Sequence, residues 1–188
     1  TGQVTGEDYV GGLVGYGFDG YIKKSYAAVD VTATSTVSHA GGLIGSLSYS
    51  TGRIENSYAT GSVEGKSYTG GLVGSVASEA KVVNSYATGD VKGSGSVGGS
   101  VGGLVGYNAI TSNVDGVTKA SISNAYSTGS VTGKNLAGGL VGVNDANATI
   151  SNAYATGAVD GANSGGLVGG NGSTASISNV YATGAVVG

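Results

Sequence analysis

One pentapeptide recurs six times along this chain of 188 residues, and it limits the possible folds more than any other feature. Gly-Gly-Leu-Val-Gly occupies residues 11–15, 70–74, 102–106, 138–142 and 165–169, and residues 41–45 repeat it with Ile44 in place of valine. The central leucines are Leu13, Leu43, Leu72, Leu104, Leu140 and Leu167, spaced 30, 29, 32, 36 and 27 residues apart. Between these blocks lies a second one, clearest at 54–65 as Ile-Glu-Asn-Ser-Tyr-Ala-Thr-Gly-Ser-Val-Glu-Gly. Its opening aliphatic residue and its valine are always nine residues apart: Ile22/Val31, Ile54/Val63, Val82/Val91, Ile122/Val131, Ile150/Val159 and Ile177/Val186. Length varies only between the blocks. Fixed segments with insertions at two points are what a solenoid requires, because each coil must lie on the one below.

The fixed segments are short, punctuated by glycine and rich in Val, Thr and Tyr, and none shows apolar residues at helical spacing over three turns. The expected fold is all-β, a parallel β-solenoid (β-helix) of about six coils with roughly three short strands per coil. One strand would carry Gly-Gly-Leu-Val-Gly, one Ile-x-Asn-x-Tyr-Ala and one Gly-x-Val-x-Gly. Residues 1–188 form a single repeat domain, with repeat cores near 11–33, 41–65, 70–93, 102–133, 138–161 and 165–188, and with 1–6 as the last strand of a preceding partial repeat. Coils stacked at ~4.8 Å give a rod roughly 29 Å tall. Such a thin core holds few side chains per layer, so 39 glycines are compatible with folding.

Composition removes most chemistries. There is no Cys, hence no disulfide, thiolate metal site or cysteine nucleophile. A single histidine, His39, excludes paired imidazoles. Arg53 is the only arginine, and the carboxylates share no column, so an enzyme with clustered Asp, Arg or Lys in a groove is not expected. No cofactor or metal site is expected. The formal charge of −3 argues against nucleic acid as a partner. No apolar run approaches the ~20 residues of a membrane span, and no basic-then-apolar start reads as a signal peptide. Gly-rich runs such as 93–99 lack the Lys-Ser/Thr tail of a phosphate loop.

The two linked blocks, Gly-Gly-Leu-Val-Gly followed by Asn-Ser-Tyr-Ala-Thr-Gly-x-Val-x-Gly, resemble the GLUG motif repeat of bacterial surface and secreted proteins. That repeat occurs in non-catalytic regions of immunoglobulin A1-specific metallopeptidases and in large adhesin-like proteins. The first copy departs most from it, with Lys24 where others have Asn and Ala28-Val29 where others have Thr-Gly. The resemblance implies an extracellular or bacterial cell-surface repeat module and supplies no catalytic residue. The peptidases' His-Glu-x-x-His motif is absent.

Each column of the repeat carries its own expectation. The leucines and the Ile/Val pairs form the core ladder, and Asn56, Asn84, Asn124, Asn152 and Asn179 stack their amides at a corner. The tyrosines Tyr26, Tyr58, Tyr86, Tyr126, Tyr154 and Tyr181 point inward if alternation runs on through Asn, the favoured reading. If a corner falls at Asn they point outward, as a stripe for a partner protein or glycan. The aliphatic residues after each leucine (Val14, Ile44, Val73, Val105, Val141 and Val168) either form an outward lateral ridge or, as favoured, are buried by a bulge. Thr60, Thr88, Thr128, Thr156 and Thr183 form a single column, where ice binding needs two. The insertions between Val91 and Leu104 and between Leu104 and Ile122, with Asp115 and Lys119, are places for a specific contact.

The chain begins and ends at one phase of the repeat, without a cap, which fits a longer array or end-to-end stacking of copies. The expected function is a non-enzymatic, stiff stalk or filament segment with an adhesive role. Its partners would be further copies of the repeat and a host or cell-surface protein or glycan. The alternative is a ligand-binding solenoid, through the Tyr stripe or the Thr column.

Overall fold

The computed structural model describes residues 2–49, 51–95, 99–109 and 119–188. Every strand pairing in it is parallel and joins equivalent residues of successive repeats, so the chain winds as a β-solenoid of about six turns. One full coil shows the pattern. His39–Gly41 lies in a first sheet and Ile44–Ser48 in a second. Arg53–Glu55 and Tyr58–Ala59 lie in a third, and Val63–Gly65 in a fourth. The coil therefore has four sheets where three strands are expected from the sequence. Gly-Gly-Leu-Val-Gly is not one strand but the ends of two, with a corner at Gly42-Leu43 between them.

At that corner the six leucines stand in single file. Leu13 N–H donates to the Leu43 carbonyl at 2.9 Å, Leu43 to Leu72 at 2.9 Å and Leu72 to Leu104 at 2.9 Å. Leu104 donates to Leu140 at 2.8 Å, and Leu140 to Leu167 at 2.8 Å. Each of those accepting carbonyls also takes the N–H of the aliphatic residue after the donor leucine, as Leu43 takes that of Val14 at 3.1 Å. One oxygen thus satisfies two donors, which lets the backbone turn without orphaning an amide.

The corner settles where the following aliphatic column goes. Ile44, Val73, Val105 and Val141 are fully buried, and Val14 and Val168 of the outer coils are half-buried. The lateral ridge is therefore absent. Alternation holds only along a straight strand, and a turn between Leu and Val directs both into the same core.

Two separate apolar clusters fill the coil. The larger holds Leu43, Leu72, Leu104 and Leu140, with Leu167 packed against them, the aliphatic column beside them and Ile54, Val82, Ile122 and Ile150, whereas Leu13, expected in the core, is 51% exposed because no coil covers it. The smaller holds Val31, Val63, Val91, Val131 and Val159 against Val10, Ala40, Val101 and Ala137. Between them the walls pinch together. A Cβ on Gly42 would lie 2.8 Å from Ala59 Cβ, and one on Gly71 would lie 2.9 Å from Ala87 Cβ. The Gly-Gly of one block and the Ala of the other meet at this waist, which explains why both positions stay small.

The left-handed corner falls to asparagine. Asn56, Asn84, Asn124, Asn152 and Asn179 have φ between 50° and 52°, and Lys24 takes the same position at 49°. Asn adopts this region more readily than other non-glycine residues, because its side chain bonds locally. Here Asn124 Nδ2 donates to Asn84 Oδ1 at 3.1 Å, and Asn179 Nδ2 to Asn152 Oδ1 at 3.3 Å. No described glycine has such a φ. Glycine serves close approach of coils, while left-handed angles fall to asparagine at this corner and to Asp19, Tyr49, Ser78, Asn147 and Thr174 at the turn after the second sheet.

Candidate functional site

The Asn corner turns Tyr26, Tyr58, Tyr86, Tyr126, Tyr154 and Tyr181 outward, against the favoured inward reading. Ser57 and Ala59, the neighbours of Tyr58, point in and are buried. Successive rings of the column are 4.7–5.2 Å apart between centroids and within 8° of parallel. Burial and the hydroxyls of Tyr86 and Tyr154 push the Tyr126 pKa up. Each ring face is covered by the next ring, so the column offers edges and hydroxyls rather than open platforms. As a glycan stripe it lacks free faces except at its ends, where Tyr26 and Tyr181 are exposed.

The Thr column is exposed and in register: Thr60 N–H donates to the Ala27 carbonyl, and Thr88 to that of Ala59. No second Thr column flanks it. The outward positions of the fourth sheet run Thr5, Thr32, Glu64, Lys92, Thr132, Asp160 and Val187. Charges there are used locally. Lys92 pairs with Glu64 at 3.1 Å. Asp30 accepts the N–H and hydroxyl of Ser62, which hold its carboxyl below the ordinary range. On the third sheet the Tyr21 hydroxyl above all holds the Glu55 carboxyl down, against burial, with Arg53 and Lys23 adding to the lowering. No group of three or more His, Asp or Glu able to hold a metal occurs among the described residues. Of the insertion residues, Asp115 lies outside the described residues and Lys119 is exposed.

Sequence reasoning missed a concavity beside the leucine corners. At the Gly-Gly-Leu corner the chain doubles back, so outward side chains of the first and second sheets face each other across a notch. A Cβ on Gly45 would lie 2.7 Å from Val10 N, a measure of how closely the two backbones cross. Tyr9, His39 and Tyr68 stack along the first sheet and Tyr16, Ser46, Ser75 and Tyr107 along the second. They line a groove of 520 Å³, which Ser48, Tyr49, Ala77 and Ser78 complete. His39 Nδ1 is 2.7 Å from Ser75 Oγ, which is 2.9 Å from Ser46 Oγ. Burial pushes the His39 pKa down against the opposing charge of Asp8, and so favours the neutral imidazole. Burial raises that of the Tyr107 phenol.

These residues sit four before and three after each corner leucine: Tyr9 and Tyr16 around Leu13, His39 and Ser46 around Leu43, Tyr68 and Ser75 around Leu72. The two offsets were the available signal. It was weak because the columns are not repeated faithfully, running on into Ser100, Leu136 and Asn163 and into Val143 and Gly170.

A ladder of near-identical coils, paired residue for residue, defines a repeat-built β-solenoid. The profile of the GLUG motif matches residues 36–64, 65–92, 133–160 and 160–187, more than half of the chain, which therefore belongs to the GLUG repeat family. No curated protein and no solved structure matches it.

Proposed function

We propose that this chain is a non-enzymatic, extracellular structural module, a stiff stalk or filament segment that holds an adhesive surface away from the cell. The carrying observation is the unbroken file of leucines, hydrogen-bonded coil to coil from Leu13 to Leu167. Bonds aligned with the rod axis resist extension, and a close-packed thin core resists bending. At the terminal coils Leu13 is 51% exposed and Val187 64%, whereas Leu43, Leu72, Leu104 and Leu140 are fully buried. Membership of the GLUG family supports a repeat-module role.

Antibodies against the folded chain are expected to label intact producing cells, or their medium, without permeabilisation. Labelling that requires permeabilisation would overturn the extracellular assignment.

A further inference from the structure

The notch beside the Gly-Gly-Leu corners differs in kind from the rest of the surface. Its ring contacts are mostly tilted, the exception being Tyr68 and Tyr107, which stack 4.8 Å apart at 28°. Tyr9 meets Tyr16 at 69° and His39 at 34°, and His39 meets Tyr68 at 68°, with centroids 4.7–5.1 Å apart. Tyr9 and Tyr16 are 48% and 45% exposed, so their rings keep surface for a ligand in the groove. Between the rings lie hydroxyls and one imidazole, in the chain Ser46–Ser75–His39. Among the described residues, no carboxylate, ammonium or guanidinium lines it. Its volume falls within the ~300–1,000 Å³ typical of small-ligand sites.

We propose that this groove binds a short neutral oligosaccharide. A sugar ring presents an apolar C–H face and a rim of hydroxyls. The C–H faces suit exposed tyrosine rings such as Tyr9 and Tyr16, whose π-electrons attract partially positive hydrogens. The hydroxyls suit groups that both donate and accept, as serine, tyrosine and neutral imidazole do. An anionic sugar would leave its carboxylate without a cation in a half-buried cleft, a costly arrangement. The site is confined to the coils from Tyr9 to Tyr107, because the same columns become Leu136, Asn163, Val143 and Gly170 further along. It goes beyond the structural role and does not depend on where the protein resides.

The test exploits the single histidine. His39 ring resonances report on the groove without ambiguity of assignment. The protein is titrated with maltotriose, cellotriose, xylotriose and lactose, and with sialyllactose as the anionic comparator, each up to about 10 mM. At least one neutral sugar is expected to shift the His39 signals saturably. Tyr16→Ser and Ser75→Ala are each expected to weaken that sugar about tenfold, equivalent to losing one aromatic or hydrogen-bond contact. Tyr154→Ser on the stacked column is expected to leave binding unchanged. Tyr16 is an exposed ring and Ser75 to Ala removes one oxygen, so unchanged thermal unfolding confirms that each variant is folded. No shift with any neutral sugar, stronger binding of sialyllactose, or binding indifferent to both groove variants would each overturn the proposal.

Discussion

Gly71→Ala is expected to destabilise the protein by about 3 kcal/mol or more, at the upper end of what overpacking costs. The added Cβ would sit 2.2 Å from the Gly103 carbonyl oxygen and 2.9 Å from Ala87 Cβ. Neither neighbour is the movable end of a side chain. The Gly103 backbone is itself held by the next coil, with its N–H donating to the Gly138 carbonyl at 3.1 Å. On the other side, Ala87 belongs to the opposing wall of the waist. Relief requires separating coils or widening the waist, and either breaks the ladder. At this chain length the loss lowers the unfolding midpoint by about 6–12 °C. Gly20→Ala is the internal control, since its Cβ meets nothing within 4 Å. It should stay within about 0.5 kcal/mol of the parent. Equal stability of the two variants in urea titrations would refute close approach as the reason for the corner glycines.

Leu72→Ala is expected to cost about 2–5 kcal/mol, the range for emptying a fully buried leucine site. Leu72 has no exposed surface and stands between Leu43 and Leu104 in the file, so rigid neighbours above and below prevent collapse of the cavity. The same change at Leu13, 51% exposed, removes much less buried area and should cost a small part of that. The contrast tests the ladder rather than the residue type. Comparable losses at both positions, measured by urea unfolding, would contradict it.

The solenoid was legible because its restraint is one of register. A stacked coil cannot change length inside a paired segment, so the constant separation of Ile54/Val63 and its equivalents is written directly in the sequence. The four-sheet cross-section was not legible. Nothing local distinguishes Gly-Gly-Leu-Val-Gly as a strand from the same residues as a corner. Only the shared carbonyl acceptors and the pinch against the Ala59 and Ala87 column decide it. The Tyr column turned on a single backbone angle, the left-handed φ at Asn56 and its equivalents, which alternation ignores. The groove was least legible. Its two columns lie seven residues apart in sequence, on either side of a turn, and their chemistry changes from coil to coil. A search for repeated residues passes over a site built where the repeat is broken, as it is at His39.

The central claim is that equivalent residues of successive repeats stand one coil apart, and distances along one column measure it directly. The chain has no native cysteine, so paired nitroxide labels can be placed through single cysteines at Thr60 with Thr156 and at Thr60 with Thr183. All three threonines are exposed, and the pairs lie three and four coils apart. Pulsed dipolar spectroscopy should give narrow distributions near about 14 Å and about 19 Å, apart from the spread of the label linkers, with the second pair longer by one strand spacing. Broad distributions, or an order of distances that does not follow the coil count, would contradict the account.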